Sequence, residues 1–265
     1  MKRPFIALCI WLLLPVSACP AVTTFEIYEA SALSQAIKRN KLIVGMEVGF
    51  FPFEYADTDG RPVGFDVELA NIAASELGVA LEIKEIEFSG LIPALQIGKI
   101  DMIISGMSRT PARARTVCFT QPYFEAGLCA LVSNKRAPQV FEVASLNAEG
   151  RILAVKLGTT GDIVTGRLFP KATVKRFKEE TECVLEVVSG RADAFIYDQV
   201  SVNRHHAQNL QTTHAIEKPF TFEPYAVAIK SGDFDFLNWL NILLETIKAD
   251  GRYEQLRKKY FGDLP

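Results

Sequence analysis

A mixed α/β fold of two similar lobes joined by two chain crossings is what this sequence predicts. Three observations carry that reading. Strand-and-helix alternation runs through the chain twice in the same order. Gly98-Lys99-Ile100-Asp101 is echoed by Gly190-Arg191-Ala192-Asp193, each ending a helix and opening an apolar strand. Two segments containing proline and aromatic residues, near 120–127 and 221–225, stand where the chain crosses between lobes. The 265 residues are 49% hydrophobic and 23% charged, enough apolar surface for two modest cores and unlike disordered or collagen-like chains. A net charge of −2 without a long block of one sign argues against a nucleic-acid partner.

The elements follow in order. Lys2 and Arg3 precede an apolar run from Phe5 to Leu14, too short for the roughly 20 residues of a membrane-spanning helix. Residues 1–18 therefore read as a signal peptide. The run ends in Val16-Ser17-Ala18-Cys19, which resembles the bacterial lipobox and marks Cys19 for lipidation. Cleavage of an ordinary signal at the Val16-x-Ala18 site is the alternative. Residues 19–37 are expected to be a lipid-anchored linker. Cys118, Cys129 and Cys183 are left over, an odd number without metal-ligand spacing and each in an apolar run, so they read as buried thiols.

From 38 the first lobe opens with a strand over Leu42 to Val48, then a hairpin turn at Asp57-Thr58-Asp59-Gly60. Asp66 is expected to cap a helix using Leu69, Ile72, Ala73 and Leu77 and ending at Gly78. A strand over Leu81 to Ile86 follows, then a short helix capped by Ser89 and a strand from Ile100 to Ile104. Lobe two repeats the order: strand Ile152 to Leu157, loop Gly158 to Gly161, helix, strand Thr173 to Phe177, helix Thr181 to Val188, strand Ala192 to Tyr197. A strand over Tyr225 to Ile229 and helices over Asp233 to Ile247 and Gly251 to Tyr260 return to lobe one. Lobe one thus takes 38–122 with 224–265, and lobe two 128–220. Two crossings make a hinge, the joint of a clamp around a small ligand.

Ligands of open α/β sheets sit beyond the carboxyl ends of the strands. Lobe one places Glu47 there, and Ser105-Gly106-Met107-Ser108. Lobe two offers Lys156, the Gly158 to Gly161 loop and Asp198. Arg113 is expected at the third position of a helix with Thr110 as cap and Pro111 at its start. Arg113 and Asp198, one from each lobe, suit the carboxylate and ammonium of a free amino acid.

At these positions the chain resembles polar amino-acid-binding proteins of bacterial ABC uptake systems, the two-lobed type II periplasmic clamp. The likeness runs from about Lys38 to Gly262. It rests on Phe51-Pro52-Phe53-Glu54, on Val63-Gly64-Phe65-Asp66-Val67-Glu68-Leu69 and on Phe88-Ser89-Gly90-Leu91-Ile92-Pro93-Ala94-Leu95. Asp101 to Pro111 with Arg113, and Gly190 to Ala194, complete it. The resemblance implies that Phe50 and Phe88 sandwich the ligand's aliphatic stem. It implies that Arg113, Ser108 and the Thr160 amide hold the carboxylate, while Asp198 and the Gly106 carbonyl hold the ammonium.

In the glutamine-binding branch an acid and a lysine occupy the positions of Glu47 and Lys156, and together they suit a carboxamide: Glu47 accepts from NH2 and Lys156 donates to C=O. Glutamine is the first expectation, and arginine, lysine or histidine the second. This branch usually has aspartate at Glu47 and histidine at Tyr197, and Tyr197 reads as packing. The resemblance implies delivery to an ABC permease with a separate ATPase subunit, by a monomer without metal or cofactor. A dehydratase on the same fold is a competing reading, as is a sensory module. Against the enzyme, His205, His206 and His214 fall on what reads as a lobe-two surface stretch, with no paired nucleophile.

Overall fold

The computed structural model describes residues 23–262; the signal segment and Cys19 lie outside the described residues. The chain enters through α1 (Thr24–Ala30) and α2 (Ala32–Lys38), where a linker is expected from the sequence. Ser31 caps α2, and both its hydroxyl and the Ala32 N–H donate to Asp233 at 2.7 Å. Residues 31–38 are thereby fastened to lobe one.

Lobe one continues with β1 (Lys41–Met46), the hairpin β2 (Tyr55–Ala56) and β3 (Pro62–Val63), α3 (Phe65–Leu77) and β4 (Ala80–Glu85). Then come α4 (Phe88–Gln96), β5 (Met102–Ile103) and β6 (Val117–Phe119). The first crossing is β7 (Phe124–Ala126). Lobe two holds β8 (Leu128–Ser133), β9 (Ile152–Lys156), α5 (Thr160–Leu168) and β10 (Thr173–Phe177). It ends with α6 (Glu180–Val188), β11 (Ala194–Asp198), α7 (Gln199–Gln208) and β12 (Thr213–Ile216). The return crossing is β13 (Glu223–Tyr225), antiparallel to β7, after which β14 (Ala228–Lys230), α8 (Phe234–Ala249) and α9 (Arg252–Phe261) complete lobe one.

The two sheets share one topology. Lobe one runs β4-β1-β5-β14-β6 and lobe two β10-β9-β11-β8-β12. In each, the first three strands are parallel and the last two join antiparallel. The Gly-Lys/Arg-x-Asp echo has one physical meaning in both lobes. Gly98 and Gly190 take the left-handed conformation, at φ of 73° and 75°, and turn the chain out of the preceding helix. Asp101 then accepts the Ile43 N–H of β1 at 2.7 Å, and Asp193 accepts the Ile152 N–H of β9 at 2.8 Å. Arginines close both carboxylates: Arg39 on Asp101, Arg136 and Arg151 on Asp193.

Four local expectations differ from the structure. Asp66 and Ser89 lie inside their helices, and the N-cap positions are Gly64 and Glu87. At α3 the Phe65 and Asp66 N–H groups donate to the Pro52 and Phe53 carbonyls, so no capping side chain is needed and Asp66 turns inward. A Cβ on Gly64 would stand 2.2 Å from the Phe53 oxygen, which keeps this position glycine. The strand expected over Tyr225 to Ile229 breaks at Ala226 and Val227, because Tyr225 pairs with Phe124 while Ala228 has moved onto the lobe-one sheet. Arg113 opens a 3-10 turn, Arg113–Arg115, and its N–H still donates to the Thr110 hydroxyl at 3.2 Å. Beneath the crossings, Phe53, Phe65, Phe124, Tyr225 and Phe261 form one aromatic cluster with ring centroids as close as 4.8 Å.

Candidate functional site

The lobes meet over a narrow polar cleft. Nine of the ten sequence-derived ligand positions line it: Glu47, Phe50, Phe88, Ser105, Gly106, Ser108, Arg113, Thr160 and Asp198. Lys156 does not reach the cleft wall. It is only 2% exposed, and its Nζ lies 2.5 Å from Glu47 Oε2.

Lobe one builds its wall from chain ends. The Glu47 N–H, just past β1, donates to Ser105 Oγ, which donates in turn to Glu54 Oε1 at 2.6 Å. Phe50 is stacked on Phe53 at 4.9 Å and meets Tyr197 of lobe two edge-on at 5.7 Å. Arg113 is nearly buried. Its Nη1 donates to the Ser108 carbonyl at 2.8 Å and its Nη2 to the Gly158 carbonyl of lobe two at 3.1 Å. Its guanidinium carbon stands 5.3 Å from the centre of the Phe88 ring.

Lobe two presents the start of α5. Thr159 Oγ1 takes the Asp162 N–H, while the Thr160 amide belongs to the first turn, where no carbonyl of the helix can pair with it. Together with the helix dipole this favours an anion beside Arg113. Asp198 occupies the N-cap position of α7 yet makes no cap bond, and its Oδ1 is buried without a partner. Burial pushes its carboxyl up to about 7, against the opposing pull of the Tyr225 hydroxyl and Arg113. Glu47 is raised by burial too, with Lys156 countering it. A cation fork on one side and an acceptor carboxyl on the other match the two ends of a zwitterion.

Three cleft or near-cleft groups, Glu54, Tyr197 and Tyr225, were not legible as site residues, whereas Thr159 falls in the Gly158 to Gly161 loop named from the sequence. Glu54, 1% exposed, lines the cleft, and its position in the aromatic run Phe51-Pro52-Phe53-Glu54-Tyr55 is the one signal that could have singled it out. Thr159 caps α5. Tyr197, expected as packing, does stack on Phe195 at 4.9 Å and also lines the cleft. The Tyr225 hydroxyl is buried beside the Asp198 carboxyl. His205 corrects the expectation of a surface position: it is 6% exposed, with Nε2 2.5 Å from Glu180 Oε1, the oxygen that also takes the Ser201 hydroxyl. Ser201 therefore points to the carboxylate and not to the imidazole, so the trio has no nucleophile-to-base hydrogen bond.

Two sheets of shared topology, two crossings and a polar cleft between the lobes define a type II periplasmic-binding fold. The chain belongs to the bacterial extracellular solute-binding proteins, family 3, which match residues 42–263. It is 31% identical over 233 residues to the L-arginine-binding protein of Pseudomonas aeruginosa, covering 83% of this chain and 87% of that one. It is 33% identical over 235 residues to the glutamine-binding protein of an ABC transporter of Bacillus subtilis, covering 87% and 85%. Among solved structures, an ancestral amino-acid-binding protein described as a precursor of cyclohexadienyl dehydratase superposes with a TM-score of 0.80 at 40% identity, over 87% of this chain and all of that one. Among the described residues no helix is long and apolar enough to cross a membrane.

Proposed function

We propose that this protein is a lipid-anchored solute-binding protein that captures a free polar L-amino acid, glutamine first, and delivers it to an ABC permease served by a separate ATPase subunit. One observation carries the amino-acid reading: Arg113 and Asp198 come from opposite lobes into one cleft, with a buried Asp198 oxygen facing where an ammonium would sit. Closure around the ligand brings both charges to it, and the β7 and β13 crossings supply the hinge. At the far end Glu47 and Lys156 cancel each other, which suits a neutral amide whose NH2 reaches Glu47. Signal-peptide export and a lipid on Cys19 hold the clamp to a bacterial membrane outside the cytoplasm, in the periplasm or beyond, working as a monomer without metal or cofactor and without chemistry of its own.

A basic ligand is the second reading. Glu47, Glu54 and Asp198 outnumber Arg113 and Lys156 in and behind the cleft, and three relatives are named for arginine. Mass spectrometry of ligand retained through purification, followed by calorimetry with glutamine, arginine, lysine and histidine, tests both. Absence of any amino-acid binding would overturn the function, and arginine tighter than glutamine would replace the first reading by the second.

A further inference from the structure

Beneath the cleft, two carboxyl groups on separate elements meet in a fully buried position. Glu54 is 1% exposed and Asp66, in the first turn of α3, 0%. Three of the bonds around them are ordinary. Glu54 Oε1 takes the Ser105 hydroxyl at 2.6 Å, and Asp66 Oδ2 takes the Gly106 N–H at 2.7 Å and the Tyr123 hydroxyl at 2.8 Å. The other two oxygens, Glu54 Oε2 and Asp66 Oδ1, are buried with no donor. The donors Ser105 and Gly106 are consecutive residues, which holds the two carboxyls next to each other beneath the cleft.

We infer that one proton sits between Glu54 and Asp66, and that its presence or absence decides whether the cleft accepts a neutral or a cationic side chain. Two ionised carboxylates facing each other in a dry site repel and leave both oxygens unsatisfied. One proton converts that contact into an O–H···O bond and satisfies both. Asp66 already has two donors on its other oxygen, so it is the better anion, and the proton resides on Glu54 Oε2. Burial first, then the charge of Asp66, push the Glu54 carboxyl well above the usual range, with Ser105 and Lys156 opposing. The charged and titratable groups around the pair are Glu47 past β1, Lys156 at the end of β9, Tyr123 before β7, Tyr197 on β11 and Tyr253 on α9.

The consequence for selection follows from charge balance, and it rests on amino-acid capture as proposed above. The ligand's own carboxylate and ammonium use Arg113 and Asp198, and Glu47 and Lys156 cancel. With Glu54 protonated the tail region is then neutral and suits an amide. A guanidinium or ammonium tail is matched when Glu54-CO2H becomes Glu54-CO2⁻ and its proton leaves to the solvent. Capture of arginine therefore releases a proton that capture of glutamine does not.

The test is calorimetry of the full chain with arginine and with glutamine from acid to alkaline pH, each in buffers of different ionisation enthalpy. The affinity ratio of arginine to glutamine is expected to rise with pH, by at most about tenfold per pH unit, the limit for one proton. Taking the ratio cancels Asp198, which meets the ammonium of either ligand. In Glu54→Gln the amide NH2 replaces the acid O–H toward Asp66, and the ratio is expected to stop depending on pH. Infrared difference spectra of wild type against Glu54→Gln are expected to show the C=O stretch of a buried carboxylic acid at neutral pH. Equal proton release for both ligands, an unchanged slope in the variant, or no acid band would each overturn the shared proton. If the variant does not fold, proton counting on wild type decides. If neither ligand binds wild type, the capture reading fails while the infrared band still reports on the proton.

Discussion

Lys156 Nζ of lobe two lies 2.5 Å from Glu47 Oε2 of lobe one, and both side chains are nearly buried. This pair, with the Arg113 bond to Gly158, the Ser108 and Thr160 hydroxyls at 3.3 Å and the Lys178 to Glu87 bridge at 2.9 Å, joins the lobes across the cleft. A buried pair of this kind adds little net stability, but removal of one partner leaves the other charge stranded.

Lys156→Ala is therefore expected to separate the two ligand readings. A carboxamide loses the donor that balances Glu47, and glutamine should bind about 1–3 kcal/mol more weakly. Arginine meets a freed Glu47 carboxylate, so its affinity should hold or rise. Titration of both ligands into wild type and variant at one salt concentration is the check. Arginine losing affinity as steeply as glutamine would show that the lysine serves closure alone.

Arg113→Ala is expected to abolish capture while leaving the unliganded fold intact. The guanidinium spans from Ser108 to Gly158, so its loss frees the cleft and leaves both sheets untouched. A charge-assisted bond to carboxylate is worth about 1.5–3 kcal/mol, which exceeds about a tenfold loss in affinity. Arg113→Lys keeps the charge without the planar fork and should recover only part of it. Near-native affinity in the alanine variant, with unchanged melting, would remove Arg113 from the site.

Much of the fold was readable because it repeats. The period-2 strands and the glycines that end helices are local features, and the strand over Thr173–Phe177 falls where its alternation put it. The Gly-Lys/Arg-x-Asp echo was visible as letters, but not its meaning, since Asp101 and Asp193 act on β1 and β9 from far along the chain. Cleft residues at strand ends were legible by the same rule that places ligands there. Glu54 and Asp66 were not, because nothing local tells that loop carbonyls cap α3 and turn Asp66 inward. The pairing of Lys156 was not legible for a related reason: its reach to Glu47 exists only after the lobes meet.

Gly106→Ala is expected to damage the cleft more than the fold. Gly106 has φ of 48°, and a Cβ there would stand 2.6 Å from Phe50 Cε1. The strained backbone costs roughly 1–2 kcal/mol of stability, and the Phe50 ring is driven from its place over Phe53. Binding loss beyond tenfold, about 1.4 kcal/mol, with a modest drop in melting temperature is the expected pair of results. Unchanged binding would mean that Phe50 does not contact ligand.

Cys19→Ser tests the anchor. The thiol is the attachment atom for lipid, so the variant should carry no acyl label and move to the soluble fraction. Persistence on membranes after a salt wash would count against the lipobox reading.

Asp198→Asn sets stability against function. Burial holds the carboxyl up at about 7, above the roughly 3.9 of an unfolded aspartate, so the folded chain binds this proton more tightly than the unfolded one. The stability this contributes is fully present below about pH 4 and is lost as pH rises through about 7. Asparagine is neutral throughout and incurs no such loss. The unliganded variant should therefore melt above wild type at alkaline pH, its advantage growing from about pH 4 to about pH 7 and level beyond, with a ceiling of about 4 kcal/mol. Ligand capture should fall about hundredfold, because the ammonium loses its charged partner in a dry site. Melting without ligand across this pH range, and calorimetry with glutamine at neutral pH, read the two effects separately. Equal melting at every pH would deny that a buried charge is carried at Asp198, and intact affinity would deny that Asp198 receives the ammonium.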